Sequence, residues 1–185
     1  MPAMPRLYLV RHGRPEATFS QAPDAGLDRT GLEQAEAVAD RLAPLGPMDI
    51  IVSPLRRTRE TAAPLERRWL RSGRLDPGVS EIPSPMSDPT ARGEWLSQIM
   101  QGRWRDVEAG LQAWRHAVIA NLAALPNASV VFSHSIAINV AVGEATGDER
   151  VIVFSPDHCS VTVIDVADGT LRLVERGAEA ATRVL

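Results

Sequence analysis

The chain has 185 residues, of which 44% are hydrophobic and 23% charged, and its formal net charge is −3. This composition is typical of a folded globular protein and excludes a disordered chain. No apolar stretch is long enough to span a bilayer, and the apolar run near the N-terminus is too short for a secretory signal. We therefore expect a single domain over residues 1–185, with no membrane contact and with a cytoplasmic location as the default.

The basic residues are unusual because all twenty are arginine and none is lysine. The absence of lysine excludes a Schiff-base lysine and the lysine of a phosphate-binding P-loop. The arginines are spread along the chain, so the composition does not support nucleic-acid binding. The single cysteine, Cys159, cannot form an internal disulfide, which agrees with a reducing compartment.

The first part of the chain alternates short apolar runs with helical patterns. Residues 7–10 predict a strand buried on both faces. Residues 30–33 (TGLE) have the form of a capping box, and a helix follows to about residue 42. Residues 49–52 predict a second strand. Pro54 after it suits the first turn of another helix and places Arg57 near that helix's N-terminus.

The same alternation continues to the C-terminus. Further strands are predicted at residues 79–82, 129–132, 151–154, 160–165 and 170–174. Helices are predicted in the second part of residues 83–102, along the amphipathic stretch 107–125, and from 136 to about 142. Asp168 and Gly169 form a hairpin signal between the last two strands.

Buried strands that alternate with helices predict an α/β fold. We expect a three-layer sandwich with a mostly parallel central sheet, an antiparallel C-terminal edge and helices on both faces. Ligands of such sheets bind at the carboxyl ends of the strands.

Charged and imidazole side chains fall at four of the predicted strand ends: Arg11 with His12, Arg57, Glu81 and His134. Two arginines and two histidines at one sheet edge favour an anion site, because guanidinium groups match phosphate oxygens. A histidine there can act as a nucleophile, and a carboxyl can donate a proton.

The motifs that carry these residues resemble those of the histidine phosphatase superfamily, also called phosphoglycerate-mutase-like. Residues 10–13 (VRHG) resemble its signature, and residues 53–62 (SPLRRTRETA) place Arg57 as its second phosphate-binding arginine. Residues 132–134 (FSH) resemble its third motif, and Glu81 stands where many members carry their acid. The resemblance extends from about residue 6 to residue 174.

The resemblance implies roles for these residues. His12 would attack phosphorus and form a phosphohistidine, while Arg11, Arg57 and His134 would bind the phosphate oxygens. Glu81 would protonate the leaving oxygen and then activate water. Such a site needs no metal and no other cofactor.

Two departures from the family pattern bear on the site. Arg14 and Pro15 follow the signature where many members carry an acidic or amide residue and then a hydroxyl, so Arg14 is a candidate substrate contact. Residues 82–86 (IPSPM) replace a segment like Gly-Trp-Glu-Gly after the acid. The acid assignment therefore stays open, with Glu94, Asp76 and Asp88 as the other candidates.

The preferred function is a metal-independent phosphatase for a phosphorylated small molecule. A phosphoglycerate-mutase-like phosphotransferase and a non-catalytic phospholigand-binding module are the alternatives. A zinc hydrolase that uses His12, His134 and His158 is a further one, although His158 is expected to be a turn residue. A cysteine phosphatase is excluded because Asp165, not arginine, stands six residues after Cys159. An edge strand near the C-terminus could pair two subunits into a homodimer.

Overall fold

The computed structural model describes residues 4–181 of the chain. The strands are β1 (Arg6–Arg11), β2 (Asp49–Val52), β3 (Arg74–Leu75), β4 (Ser129–Ser133), β5 (Val161–Ala167) and β6 (Thr170–Glu175). The helices are α1 (Arg29–Leu42), α2 (Arg56–Trp69), α3 (Pro89–Gln101), α4 (Ala109–Ala123) and α5 (Ser135–Thr146). Within the described residues, no helix has the length and apolar character needed to cross a membrane. The first three residues of the stretch considered for a signal sequence lie outside the described part.

The strands form one six-stranded sheet in the order β3-β2-β4-β1-β5-β6. The pairs from β3 to β1 are parallel, whereas β5 runs antiparallel to both β1 and β6. This arrangement confirms the expected α/β fold with a mostly parallel sheet and an antiparallel C-terminal edge. The hairpin at that edge turns at Asp168 and Gly169, whose φ angles are 52° and 72°. Two successive positive φ angles match the turn type that joins tightly paired strands.

Each face of the sheet has its own apolar core, so the helices form two outer layers. Leu7 and Leu9 belong to the core that includes Leu122 of α4 and the buried side chains of α5. Val10 belongs to the opposite core, together with Leu65 of α2 and the apolar side of α1. Successive side chains of a strand point to opposite faces, and this alternation fills both cores. The expectation of helices on both faces is confirmed.

Two of the expected strands are wrong. Near residues 79–82 the backbone forms a tight 3-10 turn at Pro77–Val79, which is closed by the Ser80 N–H to the Pro77 carbonyl. Residues 151–154 have no strand partner because the Val153 and Phe154 N–H groups donate to Oδ1 of Asn139. The local turn and the side-chain amide satisfy backbone groups that a neighbouring strand would otherwise bind.

The capping box at Thr30 is also wrong. The N-cap of α1 is Asp28, whose Oδ1 accepts from the Gly31 N–H at 2.8 Å. The Thr30 hydroxyl instead accepts from the Arg14 guanidinium at 2.9 Å. Aspartate caps helices as well as threonine does, so sequence alone could not choose between the two.

Candidate active site

The carboxyl ends of β1, β2 and β4 meet at one edge of the sheet and bring the motif residues together. The His12 N–H donates to the Ser133 carbonyl, and the Ser53 N–H donates to the Phe132 carbonyl, both at 3.1 Å. A pocket of about 390 Å³ opens at this edge. Arg11, His12, Arg57 and Glu81 line it, and loops, helix α3 and the start of α5 supply the remaining wall.

The His12 ring is fixed in one orientation and one protonation state. Its Nδ1 lies 2.8 Å from the Gly13 carbonyl oxygen, which can only accept, so Nδ1 carries the proton. Nε2 is then unprotonated and has a free lone pair. Burial lowers the pKa of His12 well below its usual value, and the neighbouring His134, Arg57 and Arg11 add to the shift. The ring is therefore a neutral nucleophile at neutral pH.

Gly13 allows the loop after β1 to lie close to two helices. A Cβ on this residue would lie 2.6 Å from the Gly31 carbonyl oxygen in the first turn of α1. The Gly13 N–H donates to the Thr61 hydroxyl of α2 at 2.9 Å. The glycine of the RHG signature is thus a packing requirement that sets the position of the His12 ring.

Arg11 is 7% exposed and partly available for a ligand. Its Nη1 donates to the Pro156 carbonyl at 2.7 Å. Its buried Nε has no hydrogen-bond partner among the described residues. Burial lowers the pKa of Arg11, although Glu81 and Asp157 oppose the shift. A desolvated guanidinium with an unused N–H is suited to an anionic ligand.

Arg57 lies in the first turn of α2, as expected, and is 3% exposed. Its Nη1 donates to the Pro23 carbonyl at 2.8 Å, and its Nη2 lies 3.2 Å from Nδ1 of His134. The guanidinium lies over the ring of Phe19, 5.7 Å from its centroid. Burial lowers the pKa of Arg57, so the folded protein holds this cation at an energetic cost.

His134 is fully buried beside Arg57, and its ring centroid lies 5.3 Å from that of His12. A guanidinium cannot accept a hydrogen bond, so Nδ1 of His134 accepts from Arg57 and Nε2 carries the proton. Nε2 donates to the Ser53 hydroxyl at 2.8 Å. In this arrangement His134 orients Arg57 through its Nδ1 lone pair.

Glu81 reaches the pocket from the loop after the 3-10 turn, not from a strand. Its two carboxylate oxygens accept from the Ile82 N–H at 3.0 Å and from the Ile136 N–H, at the start of α5, at 3.4 Å. Burial raises the pKa of this carboxyl, although the two backbone hydrogen bonds and the Arg57 charge oppose the shift. Glu81 therefore keeps its proton to a higher pH than an exposed glutamate does.

Of the four carboxylates considered for the acid, Glu81 alone lines the pocket. Asp76 accepts from the Gly78 N–H and from the Asn121 amide. Asp88 caps α3, and Glu94 is exposed on the same helix. The geometry thus favours Glu81 over the other three carboxylates.

Arg14 lies at the mouth of the pocket, and its guanidinium is engaged elsewhere. Nε contacts Oδ2 of Asp28 at 2.5 Å, and Nη2 contacts the Thr30 hydroxyl. About half of the side chain is exposed. A substrate contact from Arg14 stays a prediction.

His158 lies in a turn, as expected, and it also lines the pocket, which the turn assignment alone did not predict. Its ring centroid lies 5.9 Å from that of His12, and its buried Nε2 has no hydrogen-bond partner among the described residues. Burial and the Arg11 charge lower its pKa to about 4, so it is neutral near pH 7. The sequence feature that could have predicted this place is the position of His158 just before β5. An antiparallel strand begins at the same edge of the sheet at which the parallel strands end.

Arg92 of α3 is a second residue that the sequence analysis missed. It is 7% exposed and donates to four backbone carbonyls, those of Phe19, Ser20, Met86 and Ser87. Its guanidinium and that of Arg57 each lie 5.7 Å from the Phe19 ring centroid. Arg92 thereby joins two loops over the pocket and holds Phe19 against Arg57.

We expect Arg92→Met to raise the KM for an aryl phosphate roughly tenfold, a loss of about 1.4 kcal/mol of binding. The kcat should change by less than about threefold, because Arg92 does not touch the reacting atoms. Steady-state kinetics measure both constants. Arg105→Met, a change at an exposed arginine, is the matched control. An unchanged KM, or an equal fall in kcat, would contradict the positioning role.

The histidines considered for zinc do not form a ligand set. No group of three or more His, Cys, Asp or Glu side chains between residues 4 and 181 is arranged to hold a metal ion. Nδ1 of His12 is bound by Gly13, and both nitrogens of His134 are bound by Arg57 and Ser53. The geometry offers the zinc alternative no support.

The chain is similar to known proteins in sequence and in fold. A family model described as the histidine phosphatase superfamily (branch 1) matches residues 7–179. A probable phosphoglycerate mutase (GpmB) of Escherichia fergusonii is 31% identical over 163 residues, which cover 78% of this chain and 76% of that protein. A phosphoserine phosphatase structure from Entamoeba histolytica is similar in fold, with a TM-score of 0.75 at 21% identity and coverage of 96% and 98%.

A second curated relative is similar over a shorter stretch. The uncharacterized protein Rv0525 of Mycobacterium tuberculosis is 38% identical over 85 residues, which cover 44% of this chain and 42% of that protein. The chain thus spans less than half the length of that relative.

Proposed function

Since the chain belongs to the histidine phosphatase superfamily, we propose that it hydrolyses a phosphomonoester through a phosphohistidine on His12 without a metal. One observation carries the proposal. The Gly13 carbonyl holds the proton on Nδ1 of His12, which leaves Nε2 as a free nucleophile beside Arg11 and Arg57. Phosphoryl transfer depends mainly on positioning and on charge stabilisation, and this site supplies both.

In the first step, Nε2 of His12 forms a bond to phosphorus as the bond to the ester oxygen breaks. Arg11 and Arg57 bind the non-bridging oxygens, where charge is held through the transfer. Glu81 gives its proton to the departing oxygen, and the alcohol leaves. The products of this step are phosphohistidine, a free alcohol and the Glu81 carboxylate.

In the second step, water attacks the phosphohistidine and the bond from nitrogen to phosphorus breaks. The Glu81 carboxylate takes the proton of the attacking water. Inorganic phosphate leaves, His12 regains its lone pair and Glu81 is again protonated. No other proton donor is needed for the cycle.

His134 can serve this cycle in two ways. In the arrangement described above it orients Arg57. For a direct hydrogen bond to phosphate, its proton has to lie on Nδ1, and Nε2 then accepts from the Ser53 hydroxyl, which can donate as well as accept. We propose the second form for the phosphate-bound enzyme.

Phosphoryl transfer to a second alcohol is the other candidate, because one relative is named a probable phosphoglycerate mutase. The two reactions share the first step and differ in the acceptor. The test measures the inorganic phosphate and the phenol that the protein releases from phenyl phosphate. Equal amounts of the two products, unchanged by added 3-phosphoglycerate and by a metal chelator, support hydrolysis by a metal-independent site. Less phosphate than phenol, together with a phosphorylated acceptor, supports transfer, and loss of activity in chelator contradicts metal independence.

The pH dependence of kcat/KM is expected to reflect the opposite pKa shifts of His12 and Glu81. Because the pKa of His12 is lowered, the nucleophile stays neutral until the pH falls well below the usual pKa of a histidine. Because the pKa of Glu81 is raised, the acid stays protonated to a higher pH than usual. Activity should therefore be highest between the lowered pKa of His12 and the raised pKa of Glu81, and it should fall as the pH rises through the Glu81 pKa. A pH profile with phenyl phosphate measures this.

Glu81→Gln should remove that alkaline fall and lower kcat/KM about 10²-fold for phenyl phosphate. The loss should be smaller for 4-nitrophenyl phosphate, whose leaving group needs little protonation. Glu94→Gln, at the exposed carboxylate on α3, is the control. Equal losses for the two esters would argue against Glu81 as the acid.

The remaining expectations stay proposals. We propose a cytoplasmic location as the default, with which the single cysteine agrees, and a small-molecule partner, which the size of the pocket favours. A homodimer is possible through β6, which is an edge strand of the sheet. Neither a nucleic-acid nor a membrane partner is proposed.

A further inference from the structure

The part of the pocket that faces the leaving group has an apolar wall. Beyond the phosphate end, the apolar lining residues are Pro15, Ala17, Phe19, Leu96, Met100 and Ile136. Leu96 and Met100 are four residues apart on α3, so they present one side of that helix to the pocket. Arg92 holds the Phe19 ring against the Arg57 guanidinium. The alcohol of a bound ester must lie against these side chains.

The polar groups of the same wall already have partners. The Arg14 guanidinium is bound by Asp28 and Thr30. The Glu16 carboxylate accepts from the Gly26 N–H at 3.4 Å. The Gln21 side chain accepts from the Thr18 N–H. These groups hold the loop in place and offer little to a ligand.

His158 and Ser135 are the exceptions. The buried Nε2 of His158 has no partner among the described residues, and the Ser135 hydroxyl makes no hydrogen bond to them. His158 is also uncharged near neutral pH, since its pKa is about 4. It can therefore offer a hydrogen bond to a hydroxyl or an ether oxygen but no counter-charge. Of the described lining residues, only Arg11 and Arg57 place a positive charge at the phosphate end.

We infer that the ester's alcohol portion is a small, uncharged and mainly apolar group, and this inference rests on the proposed hydrolysis. A carboxylate or a second phosphate would lose its hydration against Leu96 and Met100 and would lie near Glu16. The lining cation on this side, Arg14, is already paired with Asp28. An apolar group gains free energy from the same burial. The volume of about 390 Å³ is near the low end for ligand pockets, which favours a small molecule.

The test compares 4-methylphenyl phosphate with 4-carboxyphenyl phosphate. The two esters have the same ring and a similar shape, and the carboxylate ester has the better leaving group. We expect kcat/KM to favour the methyl ester at least tenfold, against that intrinsic reactivity. Met100→Arg supplies a cation in the apolar wall and should lower this ratio by at least threefold. Gln98→Arg adds the same charge at an exposed position of α3 and should leave the ratio unchanged.

Three results would overturn the inference. One is a ratio of one or below. A second is an equal fall of the ratio in Met100→Arg and Gln98→Arg. The third is a fall in kcat/KM in Arg14→Gln for the carboxylate ester alone, which would make Arg14 the counter-ion of the carboxylate. If neither ester is hydrolysed, the proposed function fails by itself. The preference is then measured by calorimetry, and tighter binding of the carboxylate ester overturns the inference.

Discussion

His12→Ala is expected to lower kcat/KM for an aryl phosphate by a factor on the order of 10⁴ to 10⁶, as loss of a nucleophile does in other covalent enzymes. The reason is that no other described side chain combines a free lone pair with this position. Nε2 of His12 is unprotonated because Nδ1 donates to Gly13, whereas both nitrogens of His134 are engaged. Steady-state kinetics of both proteins measure the loss.

The same variant should still bind inorganic phosphate, because Arg11 and Arg57 remain. Calorimetric titration with phosphate therefore separates loss of the nucleophile from loss of the folded site. A quench of the wild-type reaction in alkaline denaturant, in which phosphohistidine is stable, should trap phosphate on His12 and on no other histidine. His116→Ala, at an exposed histidine of α4, is the matched control. Full activity of His12→Ala, or a trapped phosphate elsewhere, would contradict the mechanism.

The parts of the site that could be predicted from sequence are those that strands position. An apolar run that ends in Arg11 and His12 needs only the rule that parallel strands end at the binding edge. His134 follows β4 in the same way, and Arg57 follows from the start of α2. In each case the local pattern fixes the backbone, and the backbone fixes the direction of the side chain.

The parts that could not be predicted depend on how loops pack. Arg92 stands four residues after Asp88, a spacing that predicts only an ion pair on the helix surface. Its four acceptors are instead backbone carbonyls of two loops, and the loop of Phe19 and Ser20 is distant in sequence. The strand expected at residues 151–154 failed because the amide of Asn139 binds its backbone. The strand expected around Glu81 failed as well, yet the carboxylate still reaches the pocket at the start of α5. A residue can thus be assigned to the right site through the wrong element.

Arg57→Gln is the second large effect, and kcat/KM should fall by about 10² to 10⁴, the range for loss of a charge that stabilises a transferring phosphoryl group. Arg57→Lys should recover little of this loss. A lysine is a single point charge, whereas the guanidinium donates to the Pro23 carbonyl through Nη1 and has further N–H groups for phosphate in the proposed mechanism. Arg59→Gln, at an exposed position of the same helix, is the control.

In Arg57→Gln we expect activity to fall without a loss of thermal stability. Burial lowers the pKa of Arg57 and of Arg11, so the folded state holds two desolvated cations that also repel each other. Removing one charge relieves that cost, and we expect the melting temperature to stay unchanged or to rise as activity is lost. Inorganic phosphate, which neutralises both cations, should raise the melting temperature of the wild type more than that of the variant. A variant that loses stability together with activity would make Arg57 a structural residue. If activity falls while the melting temperature stays unchanged or rises, the two buried cations lower stability and are present in order to bind phosphate.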